Sequence, residues 1–233
     1  MQGLILAAGK GTRMGNIDVP KCMLEINGRP IIKHQIDSFK KNGIEDIFVV
    51  TGYKSEMIHE LLKDQVQYIH NSKFEKMNNI YSVWLAIQKL HDDFVCVYGD
   101  LVFDEKILRK CLEIENEIGL MVEPNTRNET MKVKIENNQI IAVNKKIEHK
   151  IADGNFIGMA KFSKKVTRPL FHEIEELISN GIDGYYTLGI EELIKKNKEV
   201  GYQFTNGLSW IDMDEAEEFQ AAKKMFDGRR NSI

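Results

Sequence analysis

The chain has 233 residues, enough for one well-buried α/β domain, and its 42% apolar and 29% charged content is typical of a soluble globular protein. With 32 basic and 35 acidic residues its formal net charge is −3, which argues against a role that depends on coating nucleic acid. No stretch approaches the roughly 18 consecutive apolar residues of a spanning helix, so no membrane partner is expected.

The three cysteines are isolated in the sequence. Cys22, Cys96 and Cys111 are odd in number and lack C-x-x-C spacing, so reduced, buried thiols are expected rather than disulfides or zinc ligands. Residues 1–3 have no basic character and the apolar run that follows covers only residues 4–8, so no signal peptide is recognised. Both observations favour a cytoplasmic protein.

Strands and helices alternate through the first half of the chain. Strands are predicted at residues 3–7, 47–51, 66–70 and 94–98, and helices at residues 30–42, 54–63 and 79–90. The continuous apolar runs among these strands are typical of strands that are buried on both faces. The alternation predicts an α/β fold with a mostly parallel central sheet and helices on both sides.

The rhythm changes after residue 118. Short strands are predicted at residues 120–122, 131–135, 140–143 and 156–162, followed by helices at residues 164–180, 185–197 and 215–226. There is no repeat, low-complexity tract or flexible linker. We therefore expect a single domain over residues 1–227, with a small β-rich insertion at about 119–163 and a frayed tail at 228–233.

A strand that runs into a glycine-rich turn is the most informative feature. The turn contains Gly9 and Gly11. Three cations, Lys10, Arg13 and Lys21, follow within a few residues. Backbone N–H groups can approach phosphate oxygens where side chains are absent, and the cations supply positive charge, so the segment suits a triphosphate. The alternative is an ordinary strand-to-helix turn with solvated basic residues.

Two common glycine motifs do not fit this turn. A P-loop needs G-x-x-x-x-G-K-[ST], but the Gly9-Lys10 pair is followed directly by Gly11. The dinucleotide fingerprint G-x-G-x-x-G can start at Gly9, but its third glycine position holds Met14.

Aspartates follow two further apolar segments. Asp100 comes after a buried strand and a glycine, at the carboxyl edge of the predicted sheet. Asp212 and Asp214 follow a short apolar run, and their spacing places both carboxylates on one face if the segment is extended. Mg²⁺ prefers a few carboxylates plus phosphate oxygens, so Asp100 and Asp214 are expected to hold one ion on the triphosphate. The alternatives are a turn aspartate and, with Glu217, a helix-capping box.

Together these landmarks resemble the nucleotidyltransferases that activate sugar phosphates and small phospho-alcohols. In chain order they are L-A-A-G-x-G-T-R-M-G at residues 6–15, Pro20-Lys21, Gly52-Tyr53, Gly99-Asp100 and W-I-D-M-D at residues 210–214. Residues 71–82 resemble the N-x-x-[FY]…N-N-x-[YF]-S stretch of the short bacterial choline-phosphate cytidylyltransferases. The resemblance covers nearly the whole chain and implies a Rossmann-like three-layer α/β/α sandwich.

The resemblance also implies a reaction. CMP would pass from CTP to a small phosphorylated alcohol or amine, with Mg²⁺ as cofactor and pyrophosphate as the second product. A phosphate monoester has a second pKa of about 6 and is already mostly a dianion near neutral pH, so no general base is needed. Magnesium and cationic side chains would neutralise the repulsion between two anions, and alignment would supply most of the remaining catalysis.

Roles follow for individual residues. Lys21 would stabilise charge at the α-phosphate, Arg13 and Lys10 would bind the departing pyrophosphate, and Asp100 and Asp214 would hold the metal. The residues expected around the nucleotide are Leu6, Ala7, Ala8, Gly9, Lys10, Gly11, Thr12, Gly52, Asn78 and Ser82. The residues expected around the acceptor are Lys145, with Lys146 as its alternative, Tyr185, Tyr186 and Trp210.

The acceptor stays open at this stage. Choline phosphate is the leading candidate, because aromatic faces attract a quaternary ammonium. The alternatives are 2-aminoethylphosphonate, inositol 1-phosphate and, with another nucleotide such as UTP, a sugar 1-phosphate. A different class of function is a non-catalytic nucleotide-binding regulator, which would not need the lysine and the two aspartates that are present. The protein is expected to be a monomer or a homodimer.

Overall fold

The structure is a computed structural model that describes residues 1–11, 15, 17–126 and 130–226. The strands within these residues are β1 (Gln2–Ala7), β2 (Glu25–Ile26), β3 (Arg29–Pro30), β4 (Asp46–Thr51), β5 (Gln67–His70), β6 (Phe94–Tyr98), β7 (Leu101–Phe103), β8 (Ile118–Glu123), β9 (Lys132–Glu136), β10 (Gln139–Asn144), β11 (Gly154–Phe162), β12 (Val200–Phe204) and β13 (Trp210–Asp212). The helices are α1 (Ile31–Lys41), α2 (Ser55–Leu62), α3 (Asn79–Ile87), α4 (Glu105–Leu112), α5 (Lys164–Ser179), α6 (Thr187–Lys195) and α7 (Ala216–Phe226).

Nine strands form the central sheet, in the order β10-β9-β11-β6-β1-β4-β5, with β8 beside β11 and β12 beside β8. The strands β6, β1, β4 and β5 are mutually parallel. Alternate residues of β1 face different layers. Leu4 and Leu6 pack with α3, α5 and α6, whereas Ile5 and Ala7 pack with α1, α2 and α4. This arrangement confirms the predicted α/β/α sandwich and explains why every residue of β1 is buried.

The order of the parallel strands creates a crevice beside β1. The chain moves from β1 to β4 and β5 in one direction, then returns to place β6 on the opposite side of β1. β1 and β6 are adjacent and parallel, so their carboxyl ends lie at the same edge of the sheet, and the gap opens there because the strand order reverses at this point. The glycine-rich turn follows β1 and Asp100 follows β6, so both lie at this gap.

The β-rich stretch at 119–163 is continuous with the central sheet rather than a separate layer. β11 runs antiparallel to β6, with Met159 opposite Val97. The first half of β11 therefore extends beyond the carboxyl end of β6, where it pairs with β9 through Gly154 and Asn155. Gly158 adopts a φ of +89°, and a Cβ there would lie 2.5 Å from the Tyr98 ring, so only glycine allows this close approach.

A two-stranded antiparallel sheet brings the two aspartate segments together. β13 pairs with β7, so Asp212 lies opposite Leu101. The backbone N–H of Met213 also donates to the Asp100 carbonyl at 3.2 Å. Ile211 and Met213 are buried against α7 in a third apolar cluster, which fixes the segment from behind.

Most predicted elements match the observed ones to within a few residues, whereas β2, β3, β7, α4, β12 and β13 were not predicted. The predicted tail at 228–233 lies outside the described residues. Within the part of the chain that the structure covers, no helix combines the length and apolarity needed to cross a bilayer.

Candidate active site

A cavity of about 630 Å³ opens at the carboxyl ends of β1 and β6, within the size range of small-molecule sites. The predicted residues that line it are Leu6, Ala7, Ala8, Gly9, Gly11, Lys21, Asn78, Ser82, Asp100, Lys145, Tyr185, Trp210 and Asp214. Segments that are far apart in the sequence therefore meet around one volume.

Lys21 approaches the glycine-rich turn because the turn contains no side chain at Gly11. Gly11 adopts a φ of +67°, and a Cβ there would lie 2.6 Å from the Cγ of Lys21. Pro20 precedes a short 3₁₀ helix that starts at Lys21, so the lysine stem is directed back across the turn. Only 9% of Lys21 is exposed.

The Lys21 ammonium joins two distant aspartates. Its Nζ lies 3.3 Å from Asp100 Oδ2 and 2.9 Å from Asp214 Oδ1. Burial alone would lower the pKa of Lys21, but the two carboxylates outweigh it and the net pKa is raised. The lysine is therefore a fixed positive charge at the cavity.

Asp212 completes a group of three carboxylates. One oxygen each from Asp100, Asp212 and Asp214 lie within 4.8 Å of one another. Burial, reinforced by the two neighbouring aspartates, raises the pKa of Asp212 well above its usual value. Its Oδ1 is buried and makes no hydrogen bond within the described residues. Three oxygen donors, one of them an unsatisfied buried atom, fit a hard divalent cation such as Mg²⁺.

The capping interpretation of Asp214 is only partly met. Its carboxylate accepts from Lys21 and is directed to the cavity. The acid that bonds to the backbone before α7 is Glu218 rather than Glu217. Glu218 Oε2 accepts from the backbone N–H of Asp214 at 2.6 Å and from that of Glu215 at 2.9 Å. This bond stabilises the helix start and orients the Asp214 backbone.

Asn71 organises the wall next to β1, β4 and β5. It directly follows β5, is 1% exposed, and donates from Nδ2 to Ser82 Oγ at 2.9 Å. Asn78 caps the start of α3, because its side chain accepts from the backbone N–H of Asn79. These polar groups share the wall with apolar Leu6 and Ala8. The mixture suits a flat base with a few hydrogen-bonding edges.

The opposite wall comes from β11, from residues that precede β9 and follow β10, and from Tyr185 and Trp210. Trp210 Nε1 donates to Glu123 Oε2 at 3.0 Å, which holds the indole in place. Burial would raise the pKa of Glu123, but its hydrogen bonds to Thr205, Trp210 and Asn125 make the net pKa lower. Lys145 Nζ lies 2.9 Å from the hydroxyl of Tyr185.

The structure corrects the expectation for Tyr186. This side chain has 0% exposure and packs edge-on against Tyr98 and Phe156, with ring centroids 6.1 and 6.3 Å apart. Its backbone N–H donates to Asn79 Oδ1 at 2.8 Å. Tyr186 therefore supports the wall from behind and does not line the cavity, because the chain turn at the start of α6 presents only Tyr185 to it.

Besides Tyr186, three predicted residues that the structure describes lie outside the cavity lining, namely Lys10, Gly52 and Lys146. Lys10 is exposed at its rim, 3.8 Å from Glu75. Gly52 lies behind the lining, where a Cβ would contact the Ala8 carbonyl at 2.7 Å. Thr12 and Arg13 fall outside the described residues. Lys146 also lies outside the lining, which selects Lys145 from the predicted pair.

Several lining residues were missed from the sequence as site residues. Asp212 was noted, but its burial against the other aspartates depends on the β7–β13 pairing. Asn71 could have been found from its position directly after a strand. Asn155 could not have been found in this way. It lines the cavity because its part of β11 extends past β6, and this depends on the register between the two strands.

Comparison with known proteins places the chain in a family. Residues 3–150 match the MobA-like NTP transferase domain. A CTP:phosphoglutamine cytidylyltransferase of Campylobacter jejuni is 28% identical over 92% of this chain and 96% of that protein. A choline-phosphate cytidylyltransferase of Streptococcus pneumoniae is 36% identical over 44% of this chain and 46% of its own length. The chain spans about half the length of several bifunctional relatives.

A solved structure shows the same fold. The CTP:phosphocholine cytidylyltransferase LicC of Streptococcus pneumoniae superimposes with a TM-score of 0.78 over 97% of this chain and 99% of that chain. Its sequence identity of 21% limits this likeness to the fold. The family match covers well over half of the residues and confirms the predicted nucleotidyltransferase class. The protein therefore belongs to the MobA-like NTP transferase domain family.

Proposed function

We propose that the protein is a Mg²⁺-dependent cytidylyltransferase that transfers CMP from CTP to a small phosphorylated alcohol or amine and releases pyrophosphate. The observation that carries this proposal is the meeting of Lys21 with Asp100 and Asp214 beside the glycine-rich turn. The choice of CTP rests on the relatives, since the similar phosphoglutamine and choline-phosphate enzymes both bear the name cytidylyltransferase.

Asp100, Asp212 and Asp214 would hold the metal ion. When bound, the ion supplies positive charge that offsets the negative charge of the triphosphate and orients its oxygens. All other steps belong to the chain's own residues. Gly9 and Gly11 present backbone without side chains to the phosphates, so oxygens can approach closely.

The reacting atoms are brought together by charge. An oxygen of the acceptor phosphate forms a bond to the α-phosphorus of CTP while the bond from that phosphorus to the bridging oxygen of pyrophosphate breaks. The nucleophile is already a dianion, so no side chain has to remove a proton. Lys21 is buried and permanently charged, and it would leave the aspartates to contact the α-phosphate and the incoming phosphate.

Pyrophosphate departure is assigned to the basic residues of the turn. Lys10 is exposed and would have to leave Glu75 to reach the β- and γ-phosphates. Arg13 belongs to the same turn, outside the described residues. The Asn71–Ser82 wall is proposed for the base and ribose, because its buried hydrogen bond holds polar atoms next to an apolar surface.

The test measures pyrophosphate release with Mg²⁺, each of the four nucleoside triphosphates and a panel of acceptors. We expect turnover with CTP and with phosphorylated alcohols or amines. Release only with a sugar 1-phosphate, or only with a nucleotide other than CTP, would contradict the proposal. No release with any pair would favour a non-catalytic nucleotide-binding protein.

Two aspartates provide a matched pair of variants for this assay. Asp100→Asn should lower turnover by two or more orders of magnitude, since lost electrostatic stabilisation has about that size. Asp153→Asn breaks a lysine–aspartate pair of 2.9 Å outside the cavity and should leave turnover near that of the unmodified protein. Equal effects of the two substitutions would contradict the assignment of Asp100.

A further inference from the structure

The aromatic face offered to the acceptor already carries a cation. Lys145 Nζ lies 4.6 Å from the centroid of the Tyr185 ring and 2.9 Å from its hydroxyl. A quaternary ammonium would need the same ring face, where the like charge of Lys145 would repel it. The geometry therefore disfavours an acceptor such as choline phosphate at this wall.

A second lysine lies directly under Lys145. Lys132 is only 6% exposed, and its Nζ donates to the backbone carbonyl of Lys145 at 3.0 Å. Within the described residues neither lysine forms a salt bridge with a carboxylate. Lys132 is buried whereas Lys145 is exposed at the cavity, and without a carboxylate partner their ammonium groups leave a local excess of positive charge at this wall.

A carboxylate next to this strand edge, that of Glu191, is engaged by other groups. Glu191 Oε1 accepts from the side chain of Asn144 and from the backbone N–H of Val143 at 3.3 Å. It forms no salt bridge with Lys132 or Lys145 in the described part of the chain. The positive charge at the end of β10 therefore remains available to an anion.

This wall is distinct from the part of the site that handles phosphates. Asp100 and Asp214 follow β6 and β13, whereas Lys145 follows β10, at the end of the strand paired with β9. The acceptor phosphate must approach the α-phosphorus, next to Lys21. The remaining end of a small acceptor can then extend towards β9–β11, where Lys145 lines the cavity.

We propose that Lys145, supported by Lys132 and Tyr185, binds a carboxylate on the acceptor, so the preferred substrates are phosphorylated amino or hydroxy acids rather than quaternary ammonium compounds. This inference rests on the proposed cytidylyltransferase function and specifies its acceptor class. Lys145 is a specificity-determining residue here, because it contacts the acceptor away from the reacting atoms.

Two matched acceptors measure the effect of the carboxylate alone. O-phosphoserine and phosphoethanolamine share the phosphate, the two-carbon chain and the amine, and differ in one carboxylate. With CTP and Mg²⁺, kcat/KM should be at least about tenfold higher for O-phosphoserine than for phosphoethanolamine, and lowest for phosphocholine. O-phosphoserine should have the lower KM and a similar kcat, because the carboxylate contact is made in the ground state as well as in the transition state.

Two neighbouring lysines supply the variant and its control. Lys145→Gln should raise KM for O-phosphoserine at least about tenfold and leave KM for phosphoethanolamine unchanged, which removes the preference. Lys146→Gln changes an exposed neighbour outside the cavity lining and should keep the preference. Circular dichroism and the melting temperature of each variant verify folding.

Each other outcome identifies what failed. A higher kcat/KM for phosphocholine than for O-phosphoserine overturns the carboxylate assignment. An equal rise in KM for every acceptor in the Lys145→Gln variant also overturns it, because Lys145 would then bind the phosphate that all acceptors share. Retention of the preference in Lys145→Gln also overturns it. Absence of CTP-dependent pyrophosphate release with every acceptor instead refutes the proposed function.

Discussion

Replacing Lys21 with methionine should increase the affinity of the nucleotide-free protein for a divalent cation. The ammonium of Lys21 lies 3.3 Å from Asp100 and 2.9 Å from Asp214, within the carboxylate group proposed for the metal. A metal ion that enters without nucleotide must first displace this ammonium. Lys21→Met removes the competitor while it keeps most of the side-chain volume that packs against Gly11.

The expected size follows from the two contacts that the ion must break. Hydrogen bonds to charged groups contribute about 1.5–3 kcal/mol each, so two would cost about 3–6 kcal/mol. The aspartate side chains are 24% and 29% exposed, and the displaced ammonium regains hydration, so we expect about half of that cost to remain. This corresponds to a decrease in Kd of roughly tenfold to a hundredfold in the variant.

Electron paramagnetic resonance of free Mn²⁺ measures the binding without any turnover. The variant should bind Mn²⁺ more tightly than the unmodified protein and show a larger rise in melting temperature with the metal, yet turn over at least about a hundredfold more slowly. Lys134→Met, which breaks the 2.9 Å pair with Asp153 away from the cavity, is the control and should change neither property. Unchanged or weaker Mn²⁺ binding in a folded Lys21→Met variant would refute the reasoning.

Three further changes test the surroundings of the site. Gly11→Ala places a Cβ 2.6 Å from the Lys21 stem at a φ of +67°, so the substitution should lower kcat. Gly43→Ala is its control, because Gly43 has a φ of +76° but no neighbour within 4 Å of an added Cβ. The control should lower only the free energy of unfolding, by about 1 kcal/mol. Burial raises the pKa of the Cys22 thiol to about 12, so about one thiol in 10⁴ is ionised at pH 8, and iodoacetamide should label it only after denaturation. Trp210→Phe removes the donor to a buried carboxylate and should lower the unfolding free energy in urea by about 1–3 kcal/mol; a smaller loss would contradict that contact's role.

The sequence predicts the first half of the fold well because its signals are local. The runs at 47–51 and 94–98 are apolar at nearly every position, as required for strands between two helical layers, and they correspond to β4 and β6. β7 and β13 were missed because each strand has only three residues, too few to show the alternation of apolar and polar residues that is typical of a strand. Their pairing joins positions about a hundred residues apart, and no local pattern encodes that contact.

Tyr185 and Tyr186 also show what sequence patterns cannot predict, here for single side chains. Tyr185 lines the cavity and Tyr186 is fully buried, although both are equally aromatic and precede the same helix. The hydrogen bond from the Tyr186 N–H to Asn79 fixes the turn that separates them. Sequence pattern could therefore locate the aromatic pair at the site, but only the tertiary turn decides which ring faces a ligand.

The chemistry of the site and the closure of the fold depend on the same contacts. Lys21 and Asp214 are separated by 193 residues, and their ion pair joins the first glycine-rich turn to the last helix. Asp214 is held there because Ile211 and Met213 on one side and Phe226 on the other are buried in a single apolar cluster with Ile26. If Lys21 leaves the aspartates in the proposed reaction, this apolar cluster and the pairing of β13 with β7 still hold the segment. Met213, at 0% exposure between the two acids, therefore anchors both carboxylates through apolar contacts that do not depend on Lys21.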